Sequence, residues 1–165
     1  MPRLIIEDGT GASTSANTYA TPSYVATYCV NMGLTDWATG TTTNQINSIF
    51  RAMSYIEGQR FRGVKADYDY PLKWPRASAI DDDGYTIEDD EIPENLKRGL
   101  ARASYEEYMI PGILQPNLEK SDFTTMERID VISLSYQRGK EKTVFQIIDD
   151  YLRGLTIDSR HVLRT

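Results

Sequence analysis

Eight acids crowd the segment between residues 81 and 94: Asp81, Asp82, Asp83, Glu88, Asp89, Asp90, Glu91 and Glu94. Calcium is the first chemistry such a run suggests. An EF-hand loop wants oxygen ligands at positions 1, 3 and 5, glycine at 6 and a bidentate glutamate at 12. With Gly84 at position 6, Asp83 and Asp81 fall at 5 and 3, but Ala79 falls at 1 and Asp90 at 12. The first ligand is missing, so the expectation is no metal and a solvated, anion-repelling loop. Acid pairs for proton transfer occur here by crowding alone, and none sits in a Gly-rich or His-containing context that marks a site. His161 is the only histidine and Cys29 the only cysteine. A Cys/His zinc site from one chain is therefore excluded, and a Ser-His-Asp triad would have to use a histidine beyond the last periodic helix. Asp8-Gly9-Thr10-Gly11 has two glycines and no third, which makes it a turn; no phosphate-cradling Gly-rich motif is present. The expectation is a protein that is not an enzyme and needs no cofactor.

A second constellation follows the aromatic-plus-basic logic of single-strand binding, in which bases stack on rings and phosphates meet cations. It comprises Arg60, Arg62, Lys65, Lys73, Trp74 and Arg76, interleaved with Phe61, Tyr68 and Tyr70. Asp67, Asp69 and the adjoining acidic run dilute its charge, and Trp74 and the tyrosines could simply cap the edge of the core. The whole chain has 24 acids against 18 bases, a net charge of −6. That balance argues against strong sequence-independent binding to nucleic acid, which runs on surplus Lys and Arg.

The elements that must carry these groups are mainly helical. At 165 residues and 40% apolar content, one domain with a modest core is expected. No apolar run is long enough to span a membrane, and the three apolar residues at 4–6 fall far short of a signal peptide. A single cysteine fits a reducing compartment. Leu4–Glu7 reads as a short strand. Thr21 caps and Pro22 opens a helix to about residue 32, with Tyr24, Val25, Tyr28, Cys29 and Met32 on one face and Gly33 as its stop. Trp37 packs back onto the core. Ile46, Ile49, Phe50, Met53 and Ile56 recur at spacings of three and four, predicting a helix from Asn44 to about Phe61. Residues 63–79, with Pro71 and Pro75, read as extended. Pro93 opens a third helix, acidic at its start where the dipole favours it, that runs to Pro111-Gly112. Residues 125–137 alternate like a strand, and 144–154 form a last helix.

The predicted fold is a small helical bundle with a few short strands and extended arms: a single domain over 1–156, including an N-terminal arm over 1–20, and a tail over 157–165. The Ser/Thr-rich stretch 12–20 and the polar tail lack the hydrophobicity to order themselves, so neighbouring subunits or partners are expected to hold them.

Five segments, in order, also carry a family likeness. Ile6-Glu7-Asp8-Gly9-Thr10-Gly11 with Ala16-Asn17-Thr18-Tyr19, Arg51-Ala52-Met53-Ser54-Tyr55-Ile56-Glu57, Leu72-Lys73-Trp74-Pro75-Arg76, Asp83-Gly84-Tyr85 and Ile92-Pro93-Glu94-Asn95-Leu96-Lys97 resemble the signatures of a widespread tailed-phage family. That family often bears the label DnaT-like single-stranded DNA-binding, and its members look similar to head-tail connector adaptors. The resemblance implies a structural virion protein of the phage neck, assembled in the host cytoplasm. It would form a homo-oligomeric ring, a dodecamer, with portal above and a tail, stopper or tail-terminator protein below. Double-stranded DNA would pass without tight binding, and no membrane is involved. On that reading Ile157, Arg160, Val162, Leu163 and Arg164 bind the portal, while Asp81, Asp82, Asp83, Glu88, Asp89, Asp90 and Glu91 face the channel. The alternative is a single-stranded DNA-binding protein using the Arg60–Arg76 patch.

Overall fold

In the computed structural model, which describes residues 3–10, 13–115, 126–129, 132–135 and 145–157, the chain is mainly helical with short two-stranded hairpins. The first helix, α1 (Pro22–Asn31), starts where the Thr21 hydroxyl accepts from Tyr24 N–H at 3.0 Å. A 3-10 helix, Thr35–Thr39, then turns the buried Trp37 inward onto the Tyr108 ring, 5.3 Å between centroids. Thr41 caps α2 (Thr42–Glu57) by accepting from Asn44 N–H. Its stripe of Ile46, Ile49, Met53 and Ile56 is buried, with Ala52 filling the space between. α3 (Glu94–Met109) begins immediately after Pro93 and packs on α1, α2 and α4 (Gln146–Leu152), so it is the central helix. Small residues let it sit there. Gly99 meets Leu152 and Tyr151 of α4 so closely that an added Cβ would lie 3.1 Å from a Leu152 methyl.

One buried ion pair fixes α2 against α3. Glu107, 1% exposed, accepts from Arg51 Nε at 2.8 Å, from Gly112 N–H at 2.7 Å and from Leu114 N–H at 3.0 Å. Arg51 also donates through Nη2 to the Glu107 carbonyl at 2.8 Å. The carboxylate thus satisfies a guanidinium and two amides of the chain leaving α3, which is how a buried charge is tolerated.

Between α2 and α3 run two hairpins. β1 (Val64–Lys65) pairs antiparallel with β2 (Arg76–Ala77), and β3 (Ala79–Ile80) with β4 (Thr86–Ile87). A third joins β5 (Met126–Ile129) to β6 (Ile132–Ser135), in register from Met126↔Ser135 to Ile129↔Ile132.

Several expectations are corrected. The segment Leu4–Glu7 is no strand: it makes one parallel bridge, Ile6 to Thr18, because Asn17 and Thr18 occupy its backbone groups locally. Residues 16–20 of the Ser/Thr-rich stretch are ordered by the chain's own core, since Ala16, Thr18, Tyr19 and Ala20 are all buried in it. Helix α2 stops at Glu57, four residues early. Gly58 closes it, and the backbone of Arg60 and Arg62 is claimed by the distant segment 155–157, through Ile157 N–H to the Arg60 carbonyl (2.8 Å) and Arg62 N–H to the Leu155 carbonyl (2.9 Å). The same pairing shortens α4, whose C-terminal end must leave helical geometry to reach it. The alternating run near 125–137 is two strands instead of one.

Candidate nucleic-acid interface

Lys65, Lys73 and Arg76 lie on the β1–β2 hairpin, a finger whose tip spans 66–75, while Arg60 and Arg62 precede it and Arg62 reaches across to Asp82 and Thr156. Five bases against two acids give residues 60–76 a local charge of +3. The finger's entry needs Gly63, at φ +70°, where a Cβ would lie 2.8 Å from Ala79 N. At the tip the Asp67 carboxylate accepts from Asp69 N–H at 2.9 Å and closes a local turn.

Arg76 is the organiser. Its guanidinium donates to four main-chain carbonyls: Arg62 (2.5 Å), Gly63 (2.6 Å), Lys73 (3.1 Å) and Phe61 (3.4 Å). Burial draws its pKa below the usual arginine value. Lys73 Nζ donates to the Gln59 carbonyl at 2.8 Å, and Lys65 Nζ to the carbonyls of Tyr68 and Tyr70. Arg62 donates to the Thr156 carbonyl at 3.2 Å and pairs with Asp82 at 2.9 Å. These groups shape the finger while keeping their charge. Arg60 is exposed and its side chain has no partner among the described residues.

The structure sorts the aromatic residues differently from their spacing. Trp74 is 0% exposed, edge-on to Phe61 at 5.9 Å, and cannot stack a base. Its indole was the obvious platform in the sequence; it is core instead, because the Trp74-Pro75 corner turns inward. Tyr68 is the available ring, 93% exposed at the finger's tip, and Tyr70 is half-buried beside it.

The corner is anchored by a network that no spacing announces. The Tyr19 hydroxyl donates to Glu57 Oε1 and accepts from Trp74 N–H at 3.1 Å, and Lys73 N–H donates to Glu57 Oε2 at 3.1 Å. Burial raises the Glu57 pKa above its ordinary 4.5, against the pull of the Tyr19 and Lys73 hydrogen bonds. The folded chain therefore holds this proton more tightly than the unfolded chain. The resulting stability is complete below about pH 4.5 and is lost as pH climbs through the raised value. Glu57→Gln should remove that component: urea midpoints of the native protein should fall from pH 4.5 toward neutrality relative to those of the variant. Parallel midpoints would show that Glu57 does not titrate anomalously.

Asp81, Asp82 and Asp83 lie in the turn of the neighbouring β3–β4 hairpin, and Glu88, Asp89, Asp90 and Glu91 follow β4 on the way to α3. Asp82, Asp83, Glu88, Asp89, Asp90 and Glu91 are exposed and Asp81 is half-buried. Asp81 Oδ1 accepts from Asp83 N–H (3.0 Å) and Tyr85 N–H (2.8 Å), so this carboxylate is used by its own turn. Of the residues assigned to portal binding, Ile157 is exposed and backbone-paired to Arg60; Arg160, Val162, Leu163 and Arg164 lie outside the described residues.

The model of the family described as "Putative DnaT-like ssDNA binding protein" matches residues 2–164, and the chain belongs to that family. No curated protein and no solved structure matches it. The family match overturns the reading as a head-tail connector. The virion role, the dodecameric ring, the portal and tail partners and passage of DNA without tight binding all depended on that reading and fall with it.

Proposed function

We propose that the protein binds single-stranded DNA through the finger at residues 60–77, with no catalytic step. The observation that carries the reading is a preformed hairpin that holds Lys65, Lys73 and Arg76, follows Arg60 and Arg62 in the chain, and presents Tyr68 almost fully exposed at its tip. Arg60, Arg62, Lys65, Lys73 and Arg76 supply the field for phosphates, and Tyr68 supplies a face for one base. Membership in a family described as ssDNA-binding points the same way. The adjacent acids oppose the approach of any polyanion, so binding rests on a few contacts and discriminates against the more densely charged duplex.

Fluorescence anisotropy with a labelled oligothymidylate tests this. With about three phosphates engaged, the logarithm of affinity should fall with the logarithm of salt at a slope of roughly −2. Tyr68→Ala should cost about 1–3 kcal/mol, the worth of one stacked base, while leaving the melting temperature unchanged, because Tyr68 packs on little. Absence of binding at low salt, or equal affinity for duplex, would refute the proposal.

A further inference from the structure

A second site lies at the opposite end of α2 from the finger. The 3-10 helix, the first half of α2 and the end of α3 enclose an open cleft of about 460 Å³, lined by Asp36, Thr39, Asn44, Asn47, Arg51 and Tyr108, with Met109 and Pro111 at its edge. On the reading that the protein binds single-stranded DNA, we propose that this cleft receives one unstacked nucleobase.

Its volume suits a nucleoside-sized ligand, and its chemistry suits a base better than a phosphate. Asn44, Asn47 and Arg51 stand at spacings of three and four, on one face of α2. Neither asparagine side-chain amide has a partner among the described residues, nor does the Tyr108 hydroxyl. The cleft therefore offers donors and acceptors together, which is what the edge of a base requires. The Arg51 charge is already met by Glu107, and Asp36 adds a negative charge, so the walls hold no surplus positive charge for a phosphate. Arg51 Nη1 remains as a donor, held in place because Nε and Nη2 are both engaged.

Tyr108 is positioned rather than loose. Trp37 packs against its ring on one side. Gly40 lies against its hydroxyl end so closely that a Cβ there would overlap the hydroxyl oxygen and fall 2.7 Å from two ring carbons. The ring is thus a fixed aromatic surface for a flat ligand. A rigid wall carrying unused hydrogen-bonding groups needs little ordering when the ligand arrives, which favours binding.

From Asn47 to Glu57, three residues before the finger, α2 rises roughly 15 Å. A single nucleoside cannot bridge that distance, so it reports on the cleft alone. Deoxynucleosides titrated against the isotopically labelled protein should shift the side-chain amides of Asn44 and Asn47 and the Tyr108 ring. Inorganic phosphate should leave them in place. Asn47→Leu and, as a second variant that keeps every polar group, Gly40→Ala should abolish the nucleoside shifts. Asn47→Leu should also weaken oligonucleotide binding about tenfold, the value of a lost hydrogen bond plus a stranded polar edge. Oligonucleotide binding that survives both variants, with no nucleoside shifts, would refute the cleft and leave the finger standing. Cleft shifts driven by phosphate rather than nucleoside would also refute it. Failure of all oligonucleotide binding, with nucleoside shifts intact, would refute the finger instead.

Discussion

Replacing Ile49 by aspartate should yield a chain with no cooperative thermal transition. Ile49 is fully buried in α2, on the face that packs against α3. An aspartate there must either bury an ionised carboxylate without a partner or take up a proton at a large cost in pKa. Loss of the isoleucine contacts adds about 2–5 kcal/mol. Together these exceed the stability of an ordinary domain, roughly 5–15 kcal/mol, or most of it. Ile49→Val is the control, expected to cost only about 0.5–1.5 kcal/mol. Circular dichroism melts of the two variants would check this, and a soluble, cooperatively melting Ile49→Asp protein would remove α2 from the core.

Glu107→Ala should be the most damaging polar substitution, lowering stability by about 3 kcal/mol. It strands the buried amide of Leu114, frees Gly112 N–H and leaves Arg51 without its counter-charge. Arg51 is more than a third exposed and can turn to water, which places the cost at the lower end of the range for broken buried pairs. Glu107→Gln keeps an acceptor and a similar shape, so it should retain about half of the lost stability. Urea denaturation would measure both, and hydrogen exchange at Leu114 should accelerate in the alanine variant before the rest of the domain does. Identical midpoints for native and Glu107→Ala proteins would mean that the carboxylate holds nothing together.

The helical frame was legible because its signals are local. Thr21-Pro22 and Pro93 mark helix starts through groups within four residues of themselves, and the Ile46–Ile56 stripe is visible from its spacing, although α2 begins at Thr42 under a Thr41 cap, two residues before the Asn44 that the spacing predicts. What was illegible depends on contacts far apart in the chain. Helix α2 ends early because residues 155–157 pair with 60–62, and no window around Phe61 contains that fact. The burial of Tyr19 depends on Glu57 and Trp74, 38 and 55 residues away. The Arg60–Arg76 patch is visible in composition, yet composition treats every ring and cation in it as equivalent. In the fold Trp74 faces the core, Tyr68 faces solvent and Arg76 is a structural clasp. The cleft by Asn47 has no signature in the sequence because two asparagines, a tyrosine and an arginine form no motif; they come together only when α2 packs on α3.

The Arg76 clasp has a consequence for how this surface can change. All four of its acceptors are main-chain carbonyls, which every amino acid possesses. The hairpin's geometry is therefore indifferent to most side-chain identities at the exposed positions 68, 69 and 71, while Gly63, Asp67, the buried Leu72 and Arg76 hold its turn and base. That makes the tip a replaceable cassette on a fixed mount. Natural drift, or a randomised library, can rewrite what the finger touches without renegotiating the fold beneath it.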